Sequence, residues 1–287
     1  MPKIQTLRGM NDIKPEETKE FSQIELTLKS IVESYGYDEI RFPLIEKTEL
    51  YTRSNEAADI VTKEMYTFDD KSGESISLRP EGTAGCVRAA INNDLLRTDK
   101  PRLWYCGPMF RYERPQKGRS RQFHQFSVEV FGLDSPEIDA ELIAMSSRFW
   151  KELGISEEVY LEINNLGNDK ARSIYSDSLV NFLNNSFEQL DEDSKKKLEN
   201  NPLRILDSKN SVVQKILKNA PTIEDFVEKD SKNHHDRLLE ILENLNISYK
   251  INSKLVRGLD YYNQTVFEWK SDLLGSQDTI LGGGRYD

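Results

Sequence analysis

Between Phe110 and Val130 the chain sets out residues that make poor packing material and good binding material. Phe110-Arg111-Tyr112-Glu113 and Phe123-His124-Gln125-Phe126-Ser127-Val128-Glu129 read as two strands, joined by a loop carrying Arg114, Lys117, Arg119 and Arg121. On a strand, residues two apart share a face. Phe123, Gln125, Ser127 and Glu129 therefore point one way, and Phe126, Val128 and Val130 the other. The second row is a core face. The first lines up an aromatic plate, an amide and a carboxylate, which suits a ligand better than a core. Arg111 and Glu113 share a face of the preceding strand in the same manner. A hairpin with a cationic tip and a polar inner face fits a substrate with phosphate and base-like parts. By composition alone it is equally a surface hairpin with one solvated side.

The order of the residues says more. Arg111-Tyr112-Glu113-Arg114-Pro115-Gln116-Lys117-Gly118-Arg119, followed by Gln122-Phe123-His124-Gln125, resembles the second signature motif of class II aminoacyl-tRNA synthetases in its histidyl form. Leu78-Arg79-Pro80-Glu81-Gly82-Thr83, Leu255-Val256-Arg257-Gly258-Leu259-Asp260-Tyr261-Tyr262 and Gly282-Gly283-Gly284-Arg285-Tyr286-Asp287 agree with it. The resemblance runs from Arg8-Gly9-Met10 to the last residue and is weakest between about 167 and 250. Motifs in the right order are far more specific together than any one alone. On these residues the chain is identified as a member of the histidyl-tRNA synthetase family.

The resemblance implies a histidine–tRNA ligase. The histidine carboxylate would attack the α-phosphate of ATP, giving histidyl-adenylate and pyrophosphate, and the histidyl group would pass to the 3′ end of tRNA(His). Neither step needs a protein nucleophile; positioning and charge stabilisation suffice. Arg111 and Arg257 match the family's two catalytic arginines at the α-phosphate, and guanidinium groups suit that task. Phe123 matches the ring that stacks on adenine, and Glu113 the acid near the adenine. Glu81, Thr83 and Gln125 match groups at the α-amino end of histidine. Glu129 and Tyr262 match those at the imidazole, and Gly82, Tyr261, Arg111 and Arg257 complete the histidine set. A neutral imidazole offers one donor and one acceptor. A carboxylate and a phenol answer both, and such sites reject analogues by about 10⁴-fold. Arg114, Gln116, Lys117 and Arg119 are implied at the tRNA. Mg²⁺ would be bound mainly by the triphosphate, with no metal held by protein side chains. The triple glycine, a tight turn on its own evidence, would form a strand beside the histidine pocket.

Composition narrows the class. A net charge of −10 over 287 residues argues against a protein that coats nucleic acid non-specifically. The five basic residues and one acid between Arg111 and Arg121 still make a local patch. Cys86 and Cys106, outside any Cys-x-x-Cys pair, suggest a reducing compartment. His124, His234 and His235 lack ligand-like companions, and His234-His235 reads as solvated surface. With no apolar leader and no membrane-length run, a cytoplasmic location is expected.

Elements must position these residues. Pro15 opens a helix with Phe21, Ile24, Leu28, Ile31, Val32 and Tyr35 on one stripe, stopped at Gly36. A strand is expected through Ile40, Phe42 and Pro43. Met65–Phe68 and Ile76–Leu78 flank turn chemistry in a hairpin, and a helix is expected from Thr83 to Leu96. Ser135-Pro136 caps a helix carrying Ile138, Leu142, Met145, Phe149 and Leu153. A strand follows at Val159–Ile163. From Asn168 to Asn246 asparagine, lysine and acids abound and strand signals vanish. Strands return at Tyr249–Ile251 and Gln264–Trp269. The expected fold is α+β, a largely antiparallel sheet flanked by helices. Residues 1–166 would form the first part of a class II core, 167–250 a helical insertion, and 251–287 the return to the core. The family pattern continues past Asp287 into a third motif and an anticodon-binding domain, so the chain reads as truncated before both. The resemblance further implies a homodimer through the N-terminal helix–strand motif. The competing readings are a histidine-sensing, synthetase-like regulatory subunit of ATP phosphoribosyltransferase and a sensing module of a larger kinase.

Overall fold

Pro15 at the first turn and Gly36 at a positive φ of 80° bracket the first helix, α1 (Pro15–Ser34). The Glu17 carboxylate reaches back to accept from the Lys14 N–H at 2.9 Å, satisfying one of the amides at the helix start. The computed structural model describes residues 3–53, 60–97, 99–275 and 278–287. Packing divides the chain into two units, Met1–Asp134 with Met145–Ile155, and Ser135–Ala144 with Ser156–Asp287.

In the first unit the strand expected through Ile40, Phe42 and Pro43 is split into β1 (Asp38–Glu39) and β2 (Ile45–Lys47). Proline has no N–H to give a ladder, and here the chain changes sheets. The Ile40 N–H donates to Trp104 on one sheet at 2.9 Å, while the Leu44 carbonyl accepts from Arg79 on the other at 2.9 Å. A short helix, α2 (Glu49–Thr52), precedes the hairpin of β3 (Tyr66–Asp69) and β4 (Ser75–Leu78). Asp70 closes its turn by accepting from the Ser72 and Glu74 amides. The small sheet runs β2-β4-β3, antiparallel throughout.

Helix α3 (Thr83–Asn92) buries Gly85, Cys86, Ala89 and Ala90, small residues that allow close approach. It stops earlier than the expected Leu96, because Asp94 turns left-handed at φ 56°. The long strands β5 (Arg102–Phe110) and β6 (Gln122–Val130) pair antiparallel from Arg102↔Val130 to Phe110↔Gln122, and β1 adds to β5 in parallel. On one face Trp104 stacks on Phe126, whose edge meets Phe149 of α4 (Pro136–Leu153). The other face, expected to be polar, also carries a core. Leu103, Tyr105 and Met109 of β5 pack there with Cys86 and Ala90 of α3 and with Phe123. The first strand, rather than the second, supplies that apolar surface.

The second unit holds a four-stranded sheet in the order β10-β9-β7-β8. Its strands are β7 (Tyr160–Asn165), β8 (Tyr249–Ile251), β9 (Tyr262–Lys270) and β10 (Thr279–Tyr286). β8 joins β7 in parallel, and the other pairs are antiparallel. Between β7 and β8 the described chain is helical: α5 (Asp169–Asn184), α6 (Glu192–Asn200), α7 (Ser211–Ile216) and α8 (Lys229–Asn244), with 3₁₀ turns between them. The polar residues that make this stretch look like solvated decoration include its helix caps. Asn168, Asp191 and Asn210 each accept backbone N–H groups at the start of α5, α6 and α7. Leu179, Leu183, Ile205 and Val213 form a core with Leu166, Leu255 and Val266.

His234-His235 is not solvated surface. His234 Nε2 lies 2.8 Å from Asp139 Oδ2, and Asp139 also accepts from Arg285 Nε at 3.0 Å. Burial pushes the His235 pKa below its ordinary value. Only tertiary packing reveals the two histidines as half-buried. Among the described residues no helix is long and apolar enough to cross a membrane.

Candidate active site

Strand register brings Phe123, Gln125 and Glu129 onto one face of β5–β6. Phe123, Gln125, Ser127 and Glu129 lie opposite Met109, Gly107, Tyr105 and Leu103. Glu129 is 6% exposed. Its Oε1 accepts from the Thr83 hydroxyl at 2.9 Å and from the Tyr105 phenol at 3.0 Å. Gln125 Nε2 donates to Ser127 Oγ at 2.8 Å, which turns the amide along the strand.

Glu81 sits at the start of α3 and is 4% exposed. Its carboxylate accepts from the Thr83 amide at 2.6 Å and the Ala84 amide at 3.0 Å, the donors that a helix start leaves free. Burial nevertheless raises its pKa above the usual carboxylate range, against those hydrogen bonds and the nearby Arg111 charge. Between Glu81 and Thr83 only a glycine fits, because a Cβ at Gly82 would run into the Tyr105 ring. The Leu78–Thr83 segment and β5 are thus closely fitted to each other, which also orients the Tyr105 phenol.

Arg111 follows β5. Its Nε donates to the Pro80 carbonyl at 2.7 Å, its guanidinium lies 3.8 Å from Glu113, and its Cζ is 5.1 Å from the centre of the Phe123 ring. Burial lowers its pKa, with Glu113 opposing, but a guanidinium remains charged at any working pH. Arg79 lies beneath. It is 4% exposed, donates from Nε to the Pro108 carbonyl at 2.9 Å, and stacks on Phe42. Gly107 leaves room for its guanidinium.

The basic loop is less free than its sequence suggests. Gln116 and Arg119 exchange backbone hydrogen bonds around Lys117 and Gly118, the latter at φ 75°. Arg119 is not without an acid: its guanidinium pairs with Glu113. Arg121 donates to the Glu113 carbonyl at 3.1 Å and lies 3.6 Å above the Tyr112 ring. Arg114, Gln116 and Lys117 are exposed.

The remaining expected residues belong to the second unit. Arg257 pairs with Glu268 of β9, and its Cζ lies 5.7 Å from the centre of the Tyr262 ring. Tyr261 packs against Tyr262 and Tyr286, with ring centroids 4.7 and 5.5 Å away. The triple glycine is a strand segment, not a turn: Gly282, Gly283 and Gly284 pair with Glu268, Phe267 and Val266. A Cβ at Gly282 would collide with the Arg257 guanidinium, so the glycine makes the space that the arginine fills.

Sequence reading missed three groups. Tyr105 was legible in principle, since pairing β5 with β6 puts it opposite Ser127, next to Glu129 on the same face. Glu268 and Asp260, the latter bound by Asn201 and Arg204, were not, because their partners are remote in the chain or ambiguous without a fold.

The family model for histidyl-tRNA synthetase matches residues 9–287. The chain is similar to the apo histidyl-tRNA synthetase of S. aureus, with a TM-score of 0.78 and 36% identity, covering 99% of this chain and 67% of that one. It also resembles in fold an ATP phosphoribosyltransferase regulatory subunit/histidyl-tRNA synthetase from Bacillus halodurans, with a TM-score of 0.70, 24% identity and coverage of 99% and 76%. A histidine–tRNA ligase subunit from Alicyclobacillus acidocaldarius matches with a TM-score of 0.70, 20% identity and coverage of 100% and 90%.

Proposed function

The chain belongs to the histidyl-tRNA synthetase family, and from that premise we propose that it is a histidine–tRNA ligase. It activates L-histidine with ATP and transfers it to tRNA(His). One observation carries this reading. One face of β5–β6 holds the buried Glu129 carboxylate at one end and the Phe123 ring, with the Arg111 guanidinium beside it, at the other, while the buried Glu81 shares Thr83 with Glu129 and adjoins Pro80, whose carbonyl Arg111 binds. Six residues separate Phe123 from Glu129, which at strand rise is about 20 Å. That row suits a ligand with a purine at one end, an anionic centre, and a cationic, imidazole-bearing amino acid at the other.

In this reading Glu81 accepts the α-ammonium, with Thr83 and Gln125 nearby, and a positive charge offsets the burial of its carboxylate. Glu129, set by the Thr83 and Tyr105 hydroxyls, takes the imidazole N–H. Arg111 draws the histidine carboxylate and α-phosphate together and takes up charge as pyrophosphate leaves. Phe123 and Glu113 serve the adenine. Arg257, Tyr261 and Tyr262 take their roles from the family resemblance. Mg²⁺ accompanies the triphosphate. Phosphate oxygens and water would make up most of its shell. We further propose residues 167–250 as an inserted helical segment, a homodimer, and a cytoplasmic site of action.

The test is ATP–pyrophosphate exchange with each amino acid in turn, followed by charging of tRNA(His). Exchange is expected with histidine alone. Equal exchange with another amino acid overturns the specificity. Tight histidine binding without exchange makes the protein a histidine sensor instead.

A further inference from the structure

The loop that carries Arg257, Tyr261 and Tyr262 is gripped by the helical segment. Arg204, in the turn Pro202–Asp207, donates from Nη2 to the Gly258 carbonyl at 2.7 Å and to Asp260 Oδ1 at 3.1 Å. Its Nε approaches the same Asp260 oxygen at 3.3 Å, and Asn201 Nδ2 donates to that oxygen at 2.7 Å. At the far end of the loop, Arg172 of α5 donates to the Tyr262 carbonyl. The grip has a rigid base. Ile205 and Leu206, which follow Arg204, lie in the buried core of the unit. The Arg204 side chain is 11% exposed, so solvent and salt screen its pair with Asp260 only in part.

We propose that Arg204 is a positioning residue for histidine activation, and that through it the helical segment is part of the activation machinery. This rests on the function proposed above. A loop that must order itself around each substrate loses binding energy to entropy, and a loop already held does not. Arginine suits the task because its planar fork reaches the Gly258 carbonyl and the Asp260 carboxylate at once. A lysine has no second nitrogen to take the place of Nε at the Asp260 carboxylate.

The experiment compares wild type with Arg204→Ala, Arg204→Lys and Asp260→Asn. In Arg204→Ala, the histidine KM in pyrophosphate exchange should rise and kcat fall, each about 10-fold, as for a lost charge-assisted hydrogen bond. The KM for ATP should stay within about 2-fold, because uniform damage is not what a displaced loop predicts. Arg204→Lys should recover part of the loss, and Asp260→Asn should resemble the alanine variant. Amide hydrogen exchange supplies a readout besides activity. Residues 257–262 should exchange about 10-fold faster in Arg204→Ala, with α3 and the core of α5 unchanged. Unchanged protection of the loop overturns the proposal, as does a loss of protection spread through the whole helical segment. If the wild-type protein shows no histidine-dependent exchange, the ligase reading falls, and protection of the loop alone then decides whether Arg204 holds it.

Discussion

Glu81 in the first unit and Glu268 in the second are both buried carboxylates, 4% and 8% exposed, yet they are held in different ways. Glu81 accepts from the Thr83 and Ala84 backbone amides, and its pKa is raised by burial. Glu268 pairs with the side chains of Arg257 and Lys270 and accepts from the Thr279 hydroxyl at 2.8 Å. Backbone amides steady a carboxylate without cancelling its charge, whereas cationic side chains neutralise it. Glu81 is therefore suited to receive a cation from outside, and Glu268 to hold a cation of the protein in position. The two units divide along the same line. In the first, regular elements present the side chains; in the second, side chains from elsewhere hold a loop.

The largest effect that would test this contrast is at Arg257. If Glu268 holds it to stabilise charge that grows on the α-phosphate, Arg257→Ala should slow adenylate formation about 10²–10³-fold. ATP binding should weaken far less. Single-turnover formation of histidyl-adenylate at several ATP concentrations separates the two. A loss confined to KM would make Arg257 a simple binding residue and remove the distinction between the units.

How far the sequence could be read follows the same division. The row Phe123, Gln125, Ser127, Glu129 follows from strand periodicity, which depends on neighbours two residues apart. The antiparallel register then reaches Tyr105 by counting alone. Motif order made Arg257 and Tyr262 recognisable, but nothing local said what holds them. Arg204 is 56 residues from Asp260, and Arg172 is 90 from Tyr262. Such pairings depend on tertiary packing. The pairing of Arg119 with Glu113 spans six residues and was still missed, because the hairpin tip folds back on its own strand. The break at Pro43 shows the limit of periodicity: apolar residues continue through Ile40 and Phe42, but hydrogen bonding passes from one sheet to the other.

Glu81 offers a second, smaller test, with opposite signs for stability and function. Its pKa is raised in the folded protein. The stability linked to this group is thus fully present below the unfolded pKa of about 4.3 and lost as pH rises through the folded value. Glu81→Gln removes the buried charge but keeps only one acceptor oxygen, and Thr83 and Ala84 donate to separate oxygens of the carboxylate, so one of these amides loses its partner at every pH. Relative to wild type its melting temperature should therefore rise by about 2–4 °C between pH 4 and pH 8, as the wild-type carboxylate ionises and the variant does not. Its KM for histidine should nonetheless rise about 10–100-fold, the charge-assisted bond to the ammonium being gone. A difference in melting temperature that does not move with pH would mean that the carboxylate is not under strain and that the contrast with Glu268 is false.

The smallest effect is expected in the basic loop, where two arginines five residues apart should behave differently. Arg114 is exposed, whereas Arg119 is tied to Glu113, whose side chain is only 10% exposed. If Arg114 meets RNA phosphate, replacing it with alanine removes one contact of a diffuse electrostatic set. The KM for tRNA should then rise about 2–5-fold at physiological salt, and its dependence on salt should weaken by about one unit of slope. Pyrophosphate exchange, which uses no RNA, should not change. Arg119→Ala also releases the Glu113 carboxylate beside Arg111, so it should impair exchange as well as charging. Equal damage to both reactions from Arg114→Ala would show that the whole loop serves ATP. Identical behaviour of the two variants, with exchange intact in both, would show that the Glu113 pairing has no bearing on activation. Only a split between them supports a loop that offers Arg114 to RNA while Arg119, through Glu113, serves the nucleotide end of the site.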